Sequence, residues 1–469
     1  MRIFLWLCLS IALAMTLVAA QAGGATSNTT SAKPTDEPNA IDDLLAPVAP
    51  IDSTGAEPTG DIGNRLAVAA HQLEVKEYAD AATLLNGIVS DVERATSRYD
   101  PALVAPLTML GDALGGASKY KDALSAYQQA RHITRITDGL HTTHQVDLLY
   151  READTYASMG KMEKANDRQE YAYATLLRNY GPVSPDLIPG IYHLAAWYQR
   201  TSNPFGARDL YERAVEILER NKGATDASLI EALRGLAKSY KDEAFPLNEL
   251  HDQKLPGALP PTDLYGPNGQ PVILIVNRFG PGEVALLEVV KITTANPNAT
   301  PLDVALEEID LADWYLLFDK ETRAIPVYVH ARQIMRERAG MNDDQIAVYF
   351  GQPTVLYRPI PDNPSAPPEA LRSNPTQGHV ELGYIVTELG HVEDMKTVSS
   401  EPEGMMDLKV RRGFRVARFR PRFDGDNPVI SSNQIYRYTF TYFPRPEDSV
   451  HNAEHTDHTK PTDAAQPAG

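Results

Sequence analysis

Cysteine is nearly missing from this chain, with Cys8 the only one among 469 residues. Because Cys8 sits inside an N-terminal apolar run, everything downstream of it lacks a thiol. That excludes disulfides, a cysteine nucleophile and thiolate metal sites from the body of the protein. Basic residues are also short: 44 Lys and Arg against 62 Asp and Glu leave a net charge of -18. Such a balance makes a poor partner for nucleic-acid phosphates. There is no phosphate loop, since the "GGAS" and "GPNG" stretches lack the lysine and the strand that such a loop requires. No serine stands in a nucleophile elbow. His141 and His144 have the i, i+3 spacing of a metal pair, but no glutamate follows in the zinc-protease pattern, and they read as polar residues of a turn between repeats. Carboxylate pairs such as Asp343 and Asp344 fall where solvation explains them. No catalytic constellation emerges, so the expectation is a non-enzyme with neither cofactor nor metal.

Long apolar runs are missing too, except at the start. Residues 3–20 are apolar after a single positive charge, with small residues at Val18, Ala20 and Ala22, as a secretory signal peptide would have. The expectation is export with cleavage near Gln21 or Gly23. The alternative is a retained anchor, since 18 apolar residues at about 1.5 Å each reach roughly 27 Å, just short of a bilayer core. Residues 23–60 are an Ala, Pro, Thr and Asp linker without hydrophobic period and read as disordered, as does the polar tail at 447–469. His451, His455 and His458 in that tail read as an incidental tract.

What the chain does have is a period of 42 residues. Ala123, Tyr127 and Ala130 are followed by Ala165, Gln169 and Ala172, then by Ala207, Tyr211 and Ala214, and are preceded by Ala81, Leu85 and Ile88. Leu107, Leu110 and Leu114 step to Leu149, Ala153 and Tyr156, then to Ile191, Leu194 and Tyr198. Small residues where helices touch and a large one a turn away suit stacked helical hairpins. In "LTMLGDALGGASKYKDALSAYQQA", Leu107, Leu110, Gly111, Leu114, Tyr120, Ala123, Tyr127 and Ala130 stand at spacings that resemble the tetratricopeptide repeat, in a long variety. A fifth first helix follows with Leu233, Leu236, Ala237 and Tyr240. An insertion at about 241–282, carrying "PVILIV", then delays its partner helix to "GEVALLEVVKI". A sixth unit has Leu311, Ala312, Tyr315, Ala324, Tyr328 and Ala331, with Pro326 predicting a kink. The fold class expected is mainly α, a superhelical array of about six repeats over 61–345.

Residues 346–376 read as a Pro-rich linker, whose stretch 358–375 could hold two domains some 50 Å apart at about 3.1 Å per residue. Beyond it, 377–446 reads as a small α+β domain in the order strand, strand, helix, strand. Val380, Leu382, Tyr384 and Val386 alternate, a turn falls at Glu388 to Gly390, and Val392 and Met395 return. Met406, Val410, Phe414 and Ala417 form one helical stripe, which the pattern carries to Phe419 before Pro421 stops it. Tyr436, Tyr438, Phe440 and Tyr442 then share one face of a last strand. A basic cluster at Arg411, Arg412, Arg415, Arg418, Arg420 and Arg422 is open to three readings: a solvated helix face, a surface for an acidic partner, or one for the acidic array. Gly378-x-Val380, Gly390 with Val392, Ser399-Ser400, "RFRPRF" and "DGDNPV" together resemble the C-terminal domain of TonB, over about 70 residues. That resemblance implies recognition by strand addition at Ile435, Tyr436, Arg437, Tyr438, Thr439 and Phe440, with an outer-membrane transporter as a partner of that kind.

The repeat register places Tyr150, Arg151, Asp154, Tyr192, His193, Gln199, Arg200, Arg234 and Lys238 on the groove face of the first helices, where repeat arrays take protein or peptide partners. The functional expectation is an exported periplasmic adaptor of a Gram-negative bacterium, binding protein through the groove and the strand edge, in outer-membrane transport. Two alternatives stand beside it: a TonB-type energy transducer anchored in the inner membrane by a retained N-terminal helix, and an envelope-assembly scaffold. No nucleic acid is expected, and a membrane only if the N-terminal segment is kept.

Overall fold

The structure, a computed structural model, describes residues 59–246, 278–368 and 374–444. The expected signal segment, the linker up to residue 58, the centre of the insertion and the tail therefore lie outside the described residues. Helices come first: α1 (Thr59–Glu74), α2 (Tyr78–Ala95), α3 (Val104–Gly116), α4 (Tyr120–Asp138), α5 (Val146–Ser158), α6 (Met162–Tyr180), α7 (Ile188–Arg200), α8 (Pro204–Lys222) and α9 (Leu229–Ala244). After the insertion come α10 (Phe279–Ala295), α11 (Pro301–Leu317) and α12 (Glu321–Gln333). They pack as six hairpins, α1 with α2 through α11 with α12. α10 is the displaced partner of α9. α12 carries Pro326 within it and passes into a π turn at Ile334–Arg338.

The 42-residue step is visible in the atoms. Ala123, Ala165 and Ala207 are wholly buried, so a Cβ is all that separates the two helices of each pair there. At Gly111 even a Cβ would come within 2.3 Å of the Tyr127 ring, whose hydroxyl donates to Asp112 at 2.7 Å. Four of the six hairpins also start on a repeated cap. Asp100, Thr142 and Ser184 accept from the backbone N–H two residues on, and Asp226 does the same for Ser228, which removes one orphan donor per helix start. Buried charge is paired across hairpins: Glu152, with no exposed side-chain surface, takes Arg131 of α4 at 2.6 Å and Arg168 of α6 at 2.8 Å.

The C-terminal elements are α13 (Asp343–Phe350), β1 (Thr354–Tyr357), β2 (Thr376–Val386), β3 (Val392–Glu401), α14 (Asp407–Arg415), β4 (Arg418–Arg420), β5 (Arg422–Asp424), β6 (Asn427–Val429) and β7 (Ser431–Tyr442). The strands β3, β2 and β7 form an antiparallel sheet in that order, with β2 central. One face packs on α14. Val380, Leu382, Tyr384, Val386, Tyr438 and Phe440 from the strands enclose Met406, Val410, Phe414 and Ala417. The other face is wet, with Glu381 linking Ser399 to Arg437.

Two expectations are corrected here. The helix ends at Arg415, and Phe419 lies on a strand, because β4 pairs with β1 from the supposed linker. The Pro-rich segment is likewise not a spacer holding domains apart. Residues 358–363 lie against the sheet domain: Arg358 covers the Tyr436 ring, the Tyr438 hydroxyl donates to the Pro361 carbonyl at 2.7 Å, and the Lys409 ammonium donates to the Asp362 carbonyl. The sheet domain is docked on the repeats, and "RFRPRF" is the joint. Arg418 meets Asp319 at 3.0 Å, Phe419 enters the sheet-domain core, Arg420 meets Asp313 at 2.6 Å, and Phe423 enters the array core between Tyr328 and Phe350. Of the three readings of the basic cluster, Arg418 and Arg420 therefore follow the acidic-array one. Gly390 fits the same joint. Its φ of +79° makes the β2–β3 turn, its carbonyl accepts from Phe419 N–H at 3.0 Å, and a Cβ there would meet the Phe419 carbonyl oxygen at 2.0 Å.

Candidate functional site

β7 lies at an edge of its sheet. Backbone groups of a strand alternate in direction, and Thr441 N–H points away from β2, to Asn363 Oδ1 at 3.1 Å. By that alternation Ile435, Arg437 and Thr439 also aim their N–H and C=O groups outward, and among the described residues nothing takes them. The expected strand-addition run thus divides. Ile435, Arg437 and Thr439 present side chains and backbone to solvent, with Ile435 67 % exposed. Tyr436, Tyr438 and Phe440 turn their rings to the core and their backbones to β2. The open stretch ends at Thr439, because Asn363 caps the Thr441 N–H. Prolines beside an edge are a common guard against unwanted pairing, and Pro359, Pro361 and Pro364 flank this one.

The groove residues are brought onto one face, but most of their charge is used within the array. Tyr150 of α5 stacks on His193 of α7, with ring centroids 3.6 Å apart. Burial pushes the Tyr150 hydroxyl up to about 12, and burial pushes His193 below its usual value, with Arg200 adding to the effect and Asp154 opposing it. Arg151 pairs with Asp112 of α3 and with Asp147 at 2.9 Å. Arg234 of α9 grips Glu307 of α11 with two nitrogens, and Lys238 holds Asp242 at 2.6 Å. Tyr192 and Arg234 line one cavity beside Ile188, Leu218 and Glu231. Gln199 accepts from the Tyr211 hydroxyl at 3.4 Å. Arg200 is exposed over the Trp197 ring and carries no carboxylate partner among the described residues.

Sequence reasoning missed the junction itself. Asp313 binds Arg420 and also accepts from Tyr328 at 2.6 Å, and burial together with the Asp313 charge raises the Tyr328 hydroxyl well above its usual value. A pairing signal existed, in the alternation of Arg418, Arg420 and Arg422 with Phe419 and Phe423. Nearby, Asp319, Glu321 and His391 bring their ligand atoms within 4.8 Å of one another. Arg418 already occupies Asp319, and His391 already binds Glu321 at 3.1 Å, so the cluster works as ion pairing across the joint. His144 bonds Asp138 in its turn. Among the described residues no helix is long and apolar enough to cross a membrane.

No protein-family model and no curated protein matches the chain. Among solved structures it is similar to the nearly identical TPR-like repeats of a kinesin light chain from Podosopora anserina, at 15 % identity over 51 % of this chain and 97 % of that one, with a TM-score of 0.37. It is similar to BtubC from P. vanneervenii, at 17 % identity over 61 % and 94 %, TM-score 0.35. A signal transduction ATPase with a tetratricopeptide repeat sensor from Pyrococcus horikoshii is similar at 15 % identity over 62 % and 39 %, TM-score 0.38. The helix-hairpin architecture itself rests on the 42-residue steps and the packing described above.

Proposed function

We propose that this protein is an exported, non-enzymatic adaptor of the bacterial periplasm that holds a protein partner by adding a strand to β7. The observation that carries the reading is the run of outward backbone groups at Ile435, Arg437 and Thr439, on an edge strand whose inner side is paired with β2 and whose rings are packed on α14. An extended segment laid there gains backbone hydrogen bonds of about 0.5–1.5 kcal/mol each, and Ile435 and Arg437 supply side-chain selectivity. The TonB-like order of strand, strand, helix and strand supports an outer-membrane transporter as that partner. The apolar first residues and the thiol-free body support export. The docking of the sheet domain on the array favours a fixed platform over a reaching transducer.

Thr439→Pro tests this in the full-length protein, because the sheet domain leans on the array. The substitution removes an outward donor and places the ring where a partner strand would lie, while leaving the β2 ladder untouched. The expected result is an unchanged thermal melt with loss of outer-membrane proteins from a pull-down. Retention of every partner by Thr439→Pro, with loss in Arg200→Glu, would move recognition to the helical face.

A further inference from the structure

A second concavity, of about 490 Å3, opens between α9, α11 and β1, and its walls come from both parts of the protein. Phe245, Leu286 and Trp314 form the array side, and Tyr357 of β1 closes it from the other. Ionic groups crowd the rim, yet nearly all are satisfied: Arg234 by Glu307, Lys238 by Asp242, and Asp313 by Arg420. Two are left over. Neither Asp310 nor Lys241 has a hydrogen-bond or ion-pair partner, and they are not paired with each other, although they are near enough for Lys241 to act on Asp310 electrostatically. Desolvation of Asp310, followed by the Asp313 charge, raises its carboxyl above the ordinary range, against the opposing charges of Arg234, Arg420 and Lys241. Trp314, 3 % exposed, contributes its ring to the wall, and its indole Nε1–H is buried without a partner.

We propose that this cavity binds a small zwitterion with an apolar body, of the class of a free dipeptide, with its ammonium on Asp310, its carboxylate on Lys241 and its side chains on Trp314 and Leu286. A lone carboxylate and a lone ammonium on one apolar floor select a ligand carrying both charges, and reject one carrying either alone, because the unmatched protein charge would lose its water without compensation. A volume of about 490 Å3, within the usual range for small ligands, has room for two linked residues. Since Tyr357 is part of the wall, the site needs β1 seated against Phe245 and Pro246. It is independent of the strand edge, so either proposal can fail alone.

Titration calorimetry on the full-length protein tests it, with leucyl-leucine, N-acetyl-leucyl-leucine and leucyl-leucine amide as probes. The free dipeptide should bind and each blocked form should bind at least tenfold more weakly. Asp310→Asn should abolish the discrimination against the acetylated probe, and Lys241→Met that against the amide. Both residues reach solvent, so thermal melts should show the variants folded. No binding of leucyl-leucine at millimolar concentration, equal binding of either blocked form, or unchanged discrimination in both variants would overturn the proposal.

Discussion

The helical array and the sheet domain are held by contacts of different reach. In the array, Tyr127 closes on Asp112 only 15 residues away, and the same small-to-large exchange returns every 42 residues. In the sheet domain and its joint, Arg420 reaches back 107 residues to Asp313, Arg418 reaches 99 to Asp319, and Tyr438 reaches 77 to Pro361. The array is therefore a sum of neighbouring units, each stabilised by the next. The sheet domain is placed by a few long-range contacts, and losing one of them has no neighbour to share the cost.

The largest expected effect follows from that difference. Asp313→Ala leaves the Arg420 guanidinium, with an 11 % exposed side chain, buried without its carboxylate, and leaves the Tyr328 hydroxyl without its acceptor. Burial works against the Arg420 charge, and the hydrogen bonds and charge of Asp313, with a smaller contribution from Tyr328, outweigh it. A loss of about 3–5 kcal/mol is expected in denaturant unfolding, with part of it recovered by adding Arg420→Met, which removes the stranded charge. Limited proteolysis should cut first between Phe350 and Thr354. If Asp313→Ala unfolds like the wild type, the joint is held by Phe423, the β1–β4 pairing and the Arg418 and His391 ion pairs without need of the Arg420 pair.

Legibility in the sequence follows the same division. The period gave the repeat positions because each unit's Ala123-like and Tyr127-like residues meet a helix at a fixed offset, and the delayed α10 could be found because α9 lacked a partner. The repeated caps at Asp100, Thr142, Ser184 and Asp226 carried the same step and were overlooked. In the sheet domain, alternation gave β2, β3 and β7, and the Met406 stripe gave α14. β1 and β4 were not legible. A three- or four-residue strand has no measurable period, and Thr354 and Arg420 become partners only through tertiary packing. For the same reason Arg151, Arg234 and Lys238 could be placed on a face, but their carboxylate partners on other turns and helices could not be named.

A middle-sized effect tests the array side. Ala123 is wholly buried in the α3–α4 hairpin, so Ala123→Leu should cost about 1–3 kcal/mol by overpacking. If array stability is summed from neighbours, circular dichroism should show α3 to α6 loosened while α9 to α12 and the docked sheet domain melt as before. A single cooperative shift of the entire chain would instead mean that the joint couples both regions, and the contrast drawn above would fail. No loss of stability at all would place the repeat register in error.

The smallest effect expected is a pH dependence on the groove face. His193 is packed on Tyr150, with its Nε2 buried and unpartnered, and burial holds its pKa below the unfolded value of about 6.5. Between the two values the unfolded chain carries a proton that the folded chain refuses. This contribution to stability is therefore complete above about pH 6.5, falls as pH drops toward the folded pKa, and levels off below it. Asp154 draws the value up and Arg200 pushes it down, so Arg200→Gln should narrow the window and Asp154→Asn widen it. His193→Phe keeps a ring on Tyr150 and removes the titration. Chemical unfolding at a series of pH values should then show wild type losing stability relative to His193→Phe as pH falls from 6.5 to 5, with no change in the difference above pH 7. Parallel curves across the entire range would mean that water reaches the ring, and that the stacked pair is an open part of the groove.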